Sequence, residues 1–63
     1  MIKLSKQARF KYVAELDTNI QEQIKKAITE ALTASGEYTD EVLDDAMCSK
    51  VYDLEDTITI KYI

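Results

Sequence analysis

The clearest pattern in this chain lies between Thr18 and Ala34. Ile20, Ile24, Ala27, Ile28, Ala31 and Leu32 recur at i, i+4, i+7, i+8, i+11 and i+12, which is one stripe of an amphipathic helix. Asp17 or Thr18 can cap its start, and Thr18 with Gln21 has the spacing of a capping box. Glu22 and Lys26 are placed for a favourable i,i+4 pair on the outer face. Ser35-Gly36 closes the helix, with Gly36 where a left-handed residue is needed.

A second helix is expected over about 40–52. Thr39 is a good N-cap, and Asp40 and Glu41 sit in the first turn, where the helix dipole favours negative charge. Tyr38 and Leu43 have the spacing of a hydrophobic staple. Val42, Leu43, Ala46, Met47 and Val51 supply an apolar face. The short link between the helices predicts a hairpin.

At the C-terminus the period changes to two. Thr57 to Tyr62 is rich in β-branched and aromatic residues, with Ile58, Ile60 and Tyr62 on one face, and reads as a strand over 57–62. A lone strand needs a partner for its backbone groups. That partner comes from the N-terminal segment or from another chain. Ile2–Leu4 reads as a short strand, followed by a helix over about 6–16 with Ser5 as its cap. The near-strict alternation of apolar residues from position 2 to 16 supports the alternative of one longer strand through 8–15. The expected fold is thus a small, helix-rich α+β domain spanning 1–63, with two to three helices (about 6–16, 18–34 and 40–52) packed on a minimal sheet formed by the C-terminal strand (57–62) and the N-terminal segment.

Composition narrows the chemistry. The 63 residues contain no histidine, proline or tryptophan, one glycine and one cysteine, Cys48. Histidine is the usual general base and the commonest metal ligand, and glycine-rich loops are what let amides approach phosphates. These absences argue against an enzyme and against a bound cofactor or metal. A single cysteine closes no internal disulfide and suits a reducing compartment. Met1 to Lys6 offers no signal-peptide core and no run approaches bilayer length, so a cytoplasmic protein without a membrane segment is expected. Cys48 has no histidine to activate it and reads as a buried or half-buried small hydrophobe.

The net charge of −4 conceals a division. Residues 1–16 carry Lys3, Lys6, Arg9 and Lys11 against Glu15, a balance of +3. Residues 37–56 carry Glu37, Asp40, Glu41, Asp44, Asp45, Asp53, Glu55 and Asp56 against Lys50, a balance of −7. The first expectation is that the two ends lie near each other and compensate within the fold. The other is an acidic face that meets a basic partner. Asp40 with Asp44 and Glu41 with Asp45 form like-charge i,i+4 pairs, each costing roughly 0.2–0.5 kcal/mol. Their spacing does not fit a calcium loop. Tyrosine is enriched at interfaces, and Tyr52 and Tyr62 flank the acidic 53–56 segment. The candidate partner-binding set is therefore Asp40, Asp44, Asp45, Tyr52, Asp53 and Tyr62. No catalytic, cofactor-binding or metal-ligating residue is assigned.

The run Ile2-Lys3-Leu4-Ser5-Lys6-Gln7-Ala8, with Glu15-Leu16-Asp17 and Ile20-Gln21-Glu22-Gln23-Ile24, resembles the opening strand and helical hairpin of RelE-type toxins. The resemblance covers about half the chain and implies a multistranded sheet with basic catalytic residues downstream. Here the downstream half holds an acidic helix and one strand, so no ribonuclease activity carries over. The composition is similar to that of phage and mobile-element accessory proteins, including inhibitors of host defence systems. The expected function is a small, acidic, non-enzymatic interaction protein that acts by binding another macromolecule, with a protein as the expected partner. The alternative is a nucleic-acid-associated regulator or toxin-like protein using the basic N-terminus, where Phe10 and Tyr12 interleave with cations, although the acidic half makes nucleic acid a poor partner. At this length apolar burial and chain entropy nearly cancel, and a strand in search of an edge favours a homodimer.

Overall fold

The apolar stripe builds α1 (Thr18–Ser35), and in the computed structural model, which describes residues 2–63, it faces the centre of the molecule. Ile24, Ile28 and Leu32 are buried, and Ile20, Ala27 and Ala31 pack partly buried beside them. Gly36 ends the helix at φ 75°, ψ 14°. Its N–H donates to the Thr33 carbonyl (3.2 Å), and the Glu37 N–H donates to the Leu32 carbonyl (2.9 Å), which is the pairing of a Schellman motif. The start is capped differently from the expectation. Asp17 is the N-cap residue without a side-chain bond, and the Gln21 amide reaches back to the carbonyls of Leu16 (2.7 Å) and Ala14 (3.2 Å). Glu22 and Lys26 do not form an ion pair.

The second helix, α2 (Asp40–Met47), packs against α1. The Thr39 hydroxyl accepts the Val42 N–H at 3.1 Å, as expected of the cap. Leu43 is buried, Ala46 and Met47 are half-buried, and Val42 is exposed. Tyr38 is exposed, and its hydroxyl donates to Asp40 at 3.0 Å.

The helix expected to 52 ends five residues early. Cys48 caps it, Ser49 turns, Lys50 is extended (φ −74°, ψ 154°), and a short 3-10 helix follows at Val51–Leu54. The helix expected over 6–16 is likewise two 3-10 helices, Lys6–Phe10 and Val13–Glu15, separated by extended Lys11 and Tyr12. Both departures have one cause. Tyr12 and Lys50 form an antiparallel bridge in which the Val13 N–H donates to the Ser49 carbonyl (3.0 Å) and the Val51 N–H donates to the Lys11 carbonyl (2.9 Å). Backbone groups spent on this pairing cannot continue either helix. The gain is in the core: Val13 and Val51, which follow the bridge on each side, are both 0% exposed.

The sheet is two parallel strands, β1 (Ile2–Leu4) and β2 (Ile60–Tyr62), in the register Ile2↔Ile60, Lys3↔Lys61 and Leu4↔Tyr62. The strand expected over 57–62 is shortened because the Thr57 and Ile58 N–H groups both return to the Leu54 carbonyl. Ile58 is buried all the same. β2 finds its partner in this chain, so the search for an edge that favoured a homodimer is met internally. Ile2 and Leu4 face inward against α1, and Lys3 and Lys61 lie exposed on the outer side. The result is a small α+β fold, without the multistranded sheet that the toxin resemblance implies. Among the described residues no helix is long and apolar enough to cross a membrane.

The Schellman turn generates a first prediction. A Cβ on Gly36 meets no atom within 4 Å, so Gly36→Ala tests backbone conformation alone. The left-handed conformation disfavours a side chain by about 1 kcal/mol, and urea unfolding is expected to show a loss of that size with an unchanged m-value. Unaltered stability would contradict the role given to Gly36.

Candidate partner-binding surface

The six residues singled out from the sequence separate into three places. Asp40, Asp44 and Asp45 lie exposed on α2, with Glu41 beside them. Tyr52 and Asp53 lie exposed on the last 3-10 helix. Tyr62 is half-buried on β2. No hydrogen bond or ion pair joins the three groups to one another.

The α2 acids are uncompensated. The one ion pair within 4.0 Å among the described residues is Arg9–Glu55 (2.9 Å), so the expectation that the basic and acidic ends neutralise each other holds at that point only. Asp40 accepts the Tyr38 hydroxyl, and the carboxylates of Glu41, Asp44 and Asp45 accept no bond from the described residues. The hydrogen bond to Asp40 raises the Tyr38 phenol above its ordinary value. Asp44 also borders an open groove of about 270 Å³ between the helices, lined by Thr18, Gln21, Glu22, Lys25 and Met47.

Tyr62 belongs to a clasp that the sequence reading did not assemble. Its hydroxyl donates to Glu55 Oε2 at 2.7 Å, and Arg9 grips the same carboxylate through Nε (2.9 Å) and Nη2 (3.3 Å). The Arg9 guanidinium also lies 5.9 Å from the centre of the Tyr62 ring. The bond from Tyr62, with those from Arg9, holds the Glu55 carboxyl below the usual carboxylate range. Burial and the bond to Glu55 push the Tyr62 phenol up to about 12.

Tyr52 joins a second unforeseen cluster. The Lys50 ammonium lies 5.5 Å from the centre of the Tyr12 ring and 5.9 Å from that of Tyr52. Directly opposed residues at a non-hydrogen-bonded site of an antiparallel pair bring their side chains close, which is how the bridge sets Lys50 against Tyr12. Tyr12 and Lys50 were missed as site residues. The available signal was the solitary cation inside the acidic segment. Cys48 is exposed rather than buried, because it falls at the C-cap, off the inward face of α2. Among the described residues no group of histidine, cysteine, aspartate and glutamate is arranged to hold a metal.

Protein-family models, curated protein sequences and solved structures give no match to this chain.

The clasp yields a pH prediction. A carboxylate with a lowered folded pKa contributes stability that is complete above its unfolded pKa and lost as pH falls through the folded one. Glu55→Gln is therefore expected to unfold at a lower temperature than the parent at pH 7, with the gap closing as pH drops below about 4.5. Parallel melting-temperature profiles across this range would contradict the assignment.

Proposed function

We propose that this chain is a non-enzymatic interaction protein that acts by binding another protein, with the exposed acidic face of α2 meeting a basic surface. The observation that carries this reading is the lack of compensation on that face. Glu41, Asp44 and Asp45 sit one turn apart from like charges, and none pairs with a cation of this chain among the described residues. Each like-charge i,i+4 pair destabilises the helix slightly, and a basic partner reverses the sign of that effect. A short-lived electrostatic encounter complex is the natural first step of such binding, because steering acts before contact. In this reading the protein works in the cytoplasm, as phage or mobile-element accessory proteins do, for instance as an inhibitor of a host defence system.

A second reading is nucleic-acid binding through the basic N-terminus. It is favoured by the sheet register, which sets Lys3 directly beside Lys61 on the exposed side. The two readings separate by salt: binding to random RNA or DNA that weakens steeply with ionic strength supports the second, and indifference to nucleic acid supports the first.

The direct test is affinity capture from cells expressing the tagged chain, followed by kinetics with the captured partner. Asp44→Lys combined with Asp45→Lys is expected to keep the parent circular dichroism spectrum and to slow association at physiological salt by roughly tenfold or more. Unchanged association by the folded double variant would return these residues to the role of a solvated face.

We also propose that the chain works as a two-fold dimer. Ile63 is 71% exposed at the end of β2 and Phe10 is 69% exposed, leaving apolar area that a second copy would cover. Sedimentation equilibrium at micromolar concentration is expected to give the dimer mass. A monomer mass, with unfolding independent of concentration, would rule the dimer out.

A further inference from the structure

We propose that Tyr12, Lys50 and Tyr52 form a second docking site, one that receives an aspartate or glutamate side chain from a protein partner. This goes beyond the reading of the α2 face: it involves other residues, and it selects the opposite charge.

The four tyrosines of the chain fall into two classes. The hydroxyls of Tyr38 and Tyr62 are used within the fold, and each donates to a carboxylate, Asp40 and Glu55 respectively. The hydroxyls of Tyr12 and Tyr52 make no hydrogen bond to the described residues, and these two side chains flank one ammonium. Lys50 is half-buried, yet no carboxylate of the described residues lies within 4.0 Å of it. The cluster thus presents an ammonium and two phenolic O–H groups with no anion supplied. Ring faces attract an ammonium but accept little from its N–H groups, so the cation remains available to a carboxylate.

The surroundings favour protein over nucleic acid. Tyr12 is 49% exposed and Tyr52 is 42% exposed, and their rings offer apolar walls to the methylene stem of a single acidic side chain. Two acids lie near in the chain: Glu15, which accepts the Tyr12 N–H at 2.8 Å, and Asp53, which follows Tyr52. A phosphate backbone, with its run of negative charges, is disfavoured by a protein whose net charge is already −4. The backbone bridge fixes the site beforehand, since Tyr12 and Lys50 are opposed by pairing of the main chain rather than by side-chain attraction. The main chain of Tyr12 and Lys50 needs no ordering on binding.

The test is an NMR titration of the isotope-labelled full chain with three probes: a terminally blocked peptide alternating glutamate and leucine, its glutamine counterpart, and a thymidine oligonucleotide. The acidic peptide is expected to shift the resonances of Tyr12, Lys50 and Tyr52 saturably, and the glutamine peptide to leave them in place. Lys50→Gln is expected to weaken the acidic peptide roughly tenfold, in line with loss of a bond between charged groups. Tyr12→Phe with Tyr52→Phe keeps the rings, removes only the hydroxyls, and is expected to weaken it several-fold in a chain that retains the parent spectrum. The proposal is overturned if the acidic peptide leaves these residues unmoved or if the glutamine peptide shifts them equally. It is also overturned if the oligonucleotide binds there more tightly, or if raising the protein concentration alone moves them, which would make the cluster a contact between copies. Failure here leaves the α2 reading intact, because Asp44→Lys with Asp45→Lys changes other residues.

Discussion

The antiparallel bridge between Tyr12 and Lys50 is the constraint on which the rest of this small fold depends. Two backbone hydrogen bonds, from Val13 to Ser49 and from Val51 to Lys11, join segments far apart in the chain. They interrupt helix on both sides and carry the two valines into the core, where both are fully buried. With one valine on each side of the bridge, the N-terminal 3-10 turns are tied to the chain leaving α2. The same pairing leads from Leu54 through the turn that delivers β2 to β1. In a chain of 63 residues the bridge works together with the β1–β2 pairing and the Arg9–Glu55–Tyr62 contacts in joining the two ends.

The parts legible in the sequence are those fixed by local physics. The period of α1 fixes which face is buried, Gly36 supplies the left-handed closure, and Thr39 starts α2, because each depends on residues a few positions apart. The minimal sheet of N- and C-terminal strands was legible too, through the backbone groups of β2 that needed a partner. What escaped the sequence is whatever depends on the long-range bridge. Lys6 to Leu16 consists largely of good helix formers, and its preference for helix is outweighed by pairing with Ser49–Val51. The alternating apolar positions do not mark the alternative strand through 8–15: between the two 3-10 helices only Lys11 and Tyr12 are extended, Phe10, Tyr12 and Ala14 are exposed, and Val13, outside the alternation, is buried. The end of α2 at Met47, and the exposure of Cys48 with it, follow from the same pairing.

Charge and aromatic groups were legible as an inventory and not as an arrangement. The acidic helix face was visible as i,i+4 spacing, but only the fold shows that a single ion pair among the described residues links the basic and acidic ends. Arg9 and Glu55 combine with Tyr62 to hold the C-terminal strand, while Lys50 sits between Tyr12 and Tyr52 at the surface. Two tyrosine hydroxyls thus donate to carboxylates of the chain, and those of Tyr12 and Tyr52 make no such bond to the described residues. A polar clasp closes the molecule, and an exposed acidic face and a cation held by rings are the features offered to partners.

Hydrogen exchange in the native state tests this account most directly. The amides of Val13 and Val51 are predicted to exchange only through global unfolding, with the same free energy as the Ile24 and Ile28 amides in the middle of α1. Exchange of either valine amide as fast as that of a solvated loop, or at a free energy well below that of α1, would contradict the central place given to the bridge.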